Sequence, residues 1–370
     1  KAEKDWVYTT DENPFLDCIG GFGSTLLGHQ PKELIDTAIQ YLQSGAPCIA
    51  DQTSFQMPAA KLSEALQDWL LAETGKLYQI FLASSGAEAV DLSLRHVLLQ
   101  WKKSLESRRQ QELKKAAVWA PDLCDSLLEA WSLFEKTVEP EIILLQGAFH
   151  GNMISGLSLS GQSHRRSFLG EMVRMRPHFI NPLDSNAISI LEEIVQKAVV
   201  KYPALVEESG EWIIGSQERS NLVAAYAEPV MGEGGIKEVP DSLLEAMSKL
   251  SCPFVIDAVQ CGLGRTGFLT GTPVHSDIVV FSKALGAGIE KIAACAIERD
   301  QLQKDFYKAS TNTFGNGGLA ATIALKNIEI LRNFPIGTKS LKIGLSIFEC
   351  LSDFQKAFPR WVKSIHGKGL

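Results

Sequence analysis

Ile278-Val279-Val280-Phe281-Ser282-Lys283-Ala284-Leu285-Gly286 is the stretch that decides how the rest of the chain is read. Its first four residues are β-branched or aromatic, which describes a strand buried on both faces. Ligands of open α/β sheets gather outside the carboxyl ends of the strands, and Lys283 stands just past such an end. Partial loss of water there lowers a lysine's basicity and leaves a free amine able to condense with an aldehyde. Taken alone, Lys283 fits an ordinary surface position at a strand end equally well, so other strand ends have to separate the two readings.

Phe254-Val255-Ile256-Asp257 is a second apolar run, and it ends on a carboxylate. Burying that charge is costly without a cationic partner. A protonated pyridine nitrogen is such a partner, and pyridoxal phosphate (PLP) works as an electron sink only while that nitrogen keeps its proton. An aspartate capping the following turn is the plainer alternative. The third element, Ser84-Ser85-Gly86-Ala87-Glu88-Ala89, follows the apolar run Tyr78 to Ala83 and opens a helix through Val90, Leu94 and Val97. Small residues let a phosphate approach the backbone, and a helix start offers it free N–H groups. A strand-to-helix turn with a serine N-cap reads the same way.

Working outward, the runs Ile142 to Gln146, Val223 to Glu228 and Ile292 to Ile297 join these three as candidate strands. Continuous apolar runs between helix-like stretches predict an α/β fold with a mostly parallel sheet covered by helices. With 370 residues the chain exceeds what one core usually serves, so a large domain and a smaller one are expected. Residues 1–45 are assigned to the N-terminal segment of a small domain and substrate pocket, and 46–324 to a large cofactor-binding domain. Residues 101–141 read as a polar helical insertion within that domain. From 325 to 370, Ile328, Ile330, Leu331, Leu341, Ile343, Ile347 and Leu351 suggest the start of a smaller α+β domain only partly present.

A net charge of -7 argues against nucleic acid as a partner, and the basic stretch Trp101 to Lys115 reads as a solvated helix face. Seven scattered cysteines suggest reduced thiols in the cytoplasm, and no apolar run suits a membrane partner. A start at Lys1 without Met suggests a unit of a longer biosynthetic enzyme. Gly262-Leu263-Gly264-Arg265-Thr266-Gly267 spells a dinucleotide motif, but the Gly- and Pro-bearing residues after it are poor helix. No HExxH, CxxC or GxSxG occurs, so metal and serine-hydrolase chemistry lack support.

Together these segments resemble the class III PLP-dependent aminotransferases, which include ornithine, acetylornithine, 4-aminobutyrate and diaminopelargonate aminotransferases. The resemblance runs from Phe15-Leu16-Asp17 and Gly28-His29 through the Ser84 to Ala89 turn, Ala148 to Gly151, Ala227 to Gly235 and Ile256 to Gly267. It ends with Ser282 to Gly288 and Thr313 to Ala321. It implies a PLP-dependent transferase of fold type I.

In that fold Lys283 would hold the cofactor as a Schiff base and shuttle the substrate proton. Asp257 would pair with the pyridine nitrogen, Gln260 with the ring oxygen, and Phe149 would stack on the ring beside His150. Ser85, Gly86 and Ala87 would hold the phosphate, with Thr313 reaching it from the other subunit of a homodimer. Glu228 and Phe22 would line the substrate side. The family's usual His-Gly-Arg-Thr reads His150-Gly151-Asn152-Met153 here, and Asn152 cannot make arginine's bidentate pair with a carboxylate. The expectation is therefore a ping-pong aminotransferase whose amine or amino-acid donor, or carbonyl acceptor, lacks a carboxylate at that spot. An ω-amino acid aminotransferase, a PLP decarboxylase, racemase or aminomutase, and a non-enzymatic assembly partner are the alternatives.

Overall fold

The computed structural model describes residues 1–49, 54–169 and 173–370. Three short antiparallel strands (Ala2–Glu3, Trp6–Tyr8 and Pro14–Leu16) precede α1 (Lys32–Gln43) and α2 (Met57–Thr74). α2 has a proline in its first turn, where the missing N–H costs nothing, and stops at Gly75, whose φ of 72° suits glycine. β1 (Tyr78–Ala83), α3 (Gly86–Trp119) and α4 (Cys124–Thr137) come next. They lead to β2 (Glu141–Leu145), α5 (Ser163–Leu169), β3 (Arg176–Ile180) and α6 (Ala187–Lys197). A hairpin of β4 (Val199–Glu208) and β5 (Glu211–Ser220) precedes β6 (Leu222–Ala227), α7 (Asp241–Ser248) and β7 (Phe254–Asp257). β8 (Ile278–Phe281), β9 (Ala293–Glu298), α8 (Gly318–Asn333) and α9 (Ile336–Ala357) complete the order.

Among the described residues, seven strands form the central sheet in the order β1-β9-β8-β7-β6-β2-β3. β9 runs antiparallel to both β8 and β1, and the remaining neighbours pair parallel. The carboxyl ends of β1, β8, β7, β6 and β2 therefore lie along one edge. Register brings Asp257 opposite Val280 and Ala227 opposite Ile256, so Glu228, Asp257 and Ser282 emerge side by side.

Alternate residues feed two layers. Ile80, Leu82, Ile143, Ile256, Val279 and Phe281 pack under Leu62 and Leu66 of α2 and Ala324 and Ile328 of α8. Phe81, Ile142, Tyr226, Val255 and Val280 pack under Val90, Leu94 and Val97 of α3 on the other face. Double coverage explains why these strands are continuously apolar in sequence.

Two features depart from the sequence reading. α3 runs unbroken through Trp101, so the polar stretch that follows begins as a continuation of the phosphate-turn helix. Its second half and α4 pack on the β4–β5 hairpin through Ala116, Leu127, Trp131, Tyr202 and Leu205, a third apolar cluster that forms a separate lobe. Among the described residues, no helix is long and apolar enough to cross a membrane.

Candidate active site

The carboxyl edge of the sheet carries a cavity of about 500 Å³. Gly86, Ala87, Phe149, His150, Asn152, Glu228, Asp257, Gln260 and Lys283 all stand in its wall. Val90, Gly151, Met153, Val259 and Ser282 complete the lining. Ser85 sits just behind it as the N-cap of α3, its hydroxyl accepting the Glu88 N–H at 3.3 Å. The Glu88 carboxylate accepts the Ser84 N–H at 2.8 Å, a reciprocal arrangement that fixes where the helix begins. The first N–H groups of a helix have no acceptor within it, so Gly86 and Ala87 present theirs with the positive end of the helix dipole. A Cβ on Gly86 would lie 3.1 Å from both methyls of Val259, so only glycine fits there without displacing the wall.

Lys283 follows β8 with a φ of 41°, a left-handed conformation that costs a non-glycine residue roughly 1–2 kcal/mol. Burial lowers its pKa, against the opposing pull of Asp257, Glu228 and Glu233, and Arg265 lowers it further. The amine is thus biased toward its neutral, nucleophilic form. Its Nζ donates to Gln260 Oε1, and Gln260 Nε2 donates to the Phe22 carbonyl at 3.3 Å.

Asp257 is 4% exposed; its Oδ2 meets His150 Nδ1 at 2.8 Å and its Oδ1 accepts the Val259 N–H at 3.1 Å. Burial opposes charge on His150, yet the hydrogen bond and charge of Asp257, with the charge of Glu228, outweigh it and raise its pKa. Among the described residues, His150 Nε2 is buried without a partner. Burial pushes the Glu228 carboxyl up to about 7; His150 pulls it down, Asp257 adds to the rise, and two N–H donors oppose it. Those donors are Phe149 N at 2.7 Å and Gly232 N at 3.2 Å.

Besides Ser85, two candidate residues are not part of the wall. The Phe22 ring is 78% exposed, and only its carbonyl reaches inward, through Gln260. Thr313 lies exposed on the segment before α8. Asn152 lines the cavity but is engaged by Arg165, a residue with no motif around it to draw attention in the sequence. His275, Asp277 and Glu298, the His/Asp/Glu cluster of the described residues, lie at the opposite edge of the sheet, where Lys76 already pairs with Glu298 at 2.8 Å.

The cavity suits PLP chemically. A buried carboxylate, an unpartnered buried imidazole nitrogen, a desolvated lysine and a glycine-bounded helix start offer sites for a ring cation, an aldehyde and a phosphate. A mostly parallel, doubly covered sheet with such a cavity at its carboxyl edge defines the class, a PLP-dependent transferase of fold type I.

Residues 1–370 match the family model "Aminotransferase class-III", and the chain belongs to that family, whose members are PLP-dependent enzymes that transaminate. The chain is 26% identical over 384 residues to aminotransferase PigE of Serratia sp. (strain ATCC 39006), covering 100% of this chain and 37% of PigE. It is 23% identical over 382 residues to ornithine aminotransferase of Staphylococcus carnosus (strain TM300), covering 100% of this chain and 79% of that protein. An amine transaminase from an uncultivated Pseudomonas species, solved with PLP bound, superposes with a TM-score of 0.77 at 18% identity, covering 100% of this chain and 78% of that one.

Proposed function

We propose that this chain moves an amino group from an amine or amino-acid donor to an aldehyde or ketone acceptor in two half-reactions. The observation that carries the reading is the convergence of Lys283, Asp257 and the start of α3 on one cavity. Bound there, PLP supplies an electron sink for the charge left when a substrate carbon loses its proton. Lys283, less basic because it is buried, would hold the cofactor covalently and, as a free amine, would take and return that proton. Asp257, oriented by His150, would keep positive charge on the ring nitrogen, and Gln260 would pair with the ring oxygen. Ser85, Gly86 and Ala87 bind the phosphate. Phe149 packs on the ring, and Glu228 fixes its N–H and faces the substrate side with Phe22.

Thr313, exposed and off the cavity wall, serves the phosphate of a second copy, so the working unit is a homodimer. Exposed Phe55, Phe314, Phe15 and Leu16 are apolar surface for that contact. Residues 1–45 and the part of 325–370 that follows α8 belong to the smaller unit, while Ile328 and Leu331 of α8 pack on the central sheet. Free thiols throughout suit a reducing cytoplasm.

Asn152 offers the cavity a carboxamide, which favours a substrate without a carboxylate at that position. The likeness to ornithine aminotransferase supports a terminal-amine donor as a second reading, and ornithine is the first donor to compare with simple amines.

The test is a single-turnover assay with donor alone. Conversion of bound PLP to pyridoxamine phosphate, lost in Lys283→Ala and strongly slowed in Asp257→Ala, is the expected result. Carbon dioxide or racemised donor without that conversion would mean a different PLP chemistry, and absence of PLP binding would leave only a non-enzymatic role.

A further inference from the structure

Phe149 is half-buried and belongs to none of the three apolar clusters of the described residues, yet its ring forms part of the cavity wall. Core packing therefore does not fix that ring. The contact that does is Arg165 on α5, whose guanidinium carbon stands 4.9 Å from the ring centroid.

The guanidinium is itself held at all three nitrogens. Nε donates to Gln162 Oε1 at 3.0 Å, Nη1 to Asn152 Oδ1 at 3.1 Å and Nη2 to Glu233 Oε2 at 2.7 Å. Such a planar fork cannot turn without breaking bonds, and a lysine could not reproduce it. Charge alone explains little here, because the Arg165 and Glu233 side chains are 25% and 46% accessible, and exposed ion pairs contribute weakly.

Asn152 and Glu233 sit on two glycine-bearing loops that touch. A Cβ on Gly234 would lie 3.0 Å from the Gly147 carbonyl oxygen, and Gly147, Gly151 and Gly235 all have positive φ. Glycine permits that close approach but adds no stiffness of its own. Arg165 spans the seam from outside, while Glu228 takes the Phe149 N–H from within.

We propose that Arg165 is a positioning residue: it holds the Phe149 ring at the cavity wall by stapling the 147–152 loop to the 232–235 loop, and so sets how tightly the site keeps its cofactor. The inference rests on PLP as the occupant of the cavity.

The test is titration of the cofactor-free protein with PLP, followed by absorbance. Arg165→Met should weaken binding about tenfold, and Arg165→Lys, which keeps the charge but not the fork, should weaken it nearly as much. The absorption maximum of bound PLP should shift in Arg165→Met, a signature that a general loss of stability would not produce. In a Phe149→Leu background Arg165→Met should add little, because the ring it serves is gone. Should Arg165→Met fold poorly, Glu233→Ala and Asn152→Ala each remove one arm of the staple and should each weaken binding about two- to threefold. Unchanged affinity and spectrum in these variants, or full additivity with Phe149→Leu, overturns the role of Arg165. Failure of the wild-type protein to bind PLP overturns the occupant instead.

Discussion

Replacing Glu228 with glutamine should flatten the pH dependence of folding stability in the cofactor-free chain. Burial takes this carboxyl from its ordinary 4.5 to about 7 in the folded state, where it is 4% exposed. Below its unfolded pKa both states hold the proton; between the two values only the folded state does. The stability linked to that proton is thus full below 4.5 and lost as pH rises through about 7. At about 1.36 kcal/mol per pKa unit the loss comes to roughly 3 kcal/mol. His150 has the same sign, because its folded pKa is raised: its contribution is full below 6.5 and disappears above the folded value. Wild-type protein should therefore lose stability steadily from about pH 5 to about pH 8. Glutamine cannot titrate, and its amide can accept from only one side. Phe149 N or Gly232 N loses its acceptor, at a cost of about 1–3 kcal/mol at every pH. Urea unfolding at several pH values and fixed ionic strength should show Glu228→Gln weaker at acid pH and converging on wild type at alkaline pH. Two parallel curves separated by a constant offset would refute the argument, since they would mean that no proton is gained at Glu228 on folding.

Gly151→Ala should destabilise the fold by about 1–3 kcal/mol, because Gly151 has a φ of 102° and the new Cβ would lie 2.9 Å from the Ala87 Cβ. Thermal unfolding checks the stability, and weaker PLP binding should accompany it because Ala87 stands in the first turn of α3. Trp131→Ala removes a fully buried ring from the hairpin lobe, at a cost of about 3–5 kcal/mol. Hydrogen exchange should rise across β4 and β5 while β7 stays protected, because Trp131 packs in the lobe's own cluster and not in the sheet's two layers.

Legibility of the fold followed burial. Every apolar run named from the sequence is a strand of the central sheet to within a residue or so, because strands covered on both faces cannot hide their pattern. β3 escaped because it is the sheet's edge strand and carries Arg176, Pro177 and His178, residues an edge tolerates. The β4–β5 hairpin escaped because its strands mix half-exposed and charged positions such as Lys201, Glu207 and Glu218. Its apolar face exists only against α3 and α4. The site was legible to the same degree: Lys283, Asp257 and the Ser85 to Ala87 turn each end or follow an apolar strand, and parallel register gathers such positions on one edge. Phe149, His150 and Glu228 came from the resemblance, and the structure supplies what they rest on, Asp257 for His150 and the Phe149 N–H for Glu228. Arg165 carried no signal, since its partners Asn152 and Glu233 lie 13 and 68 residues away on separate loops. Strand periodicity can place a lysine at the edge of a sheet, but a contact that joins two irregular loops leaves no period to read.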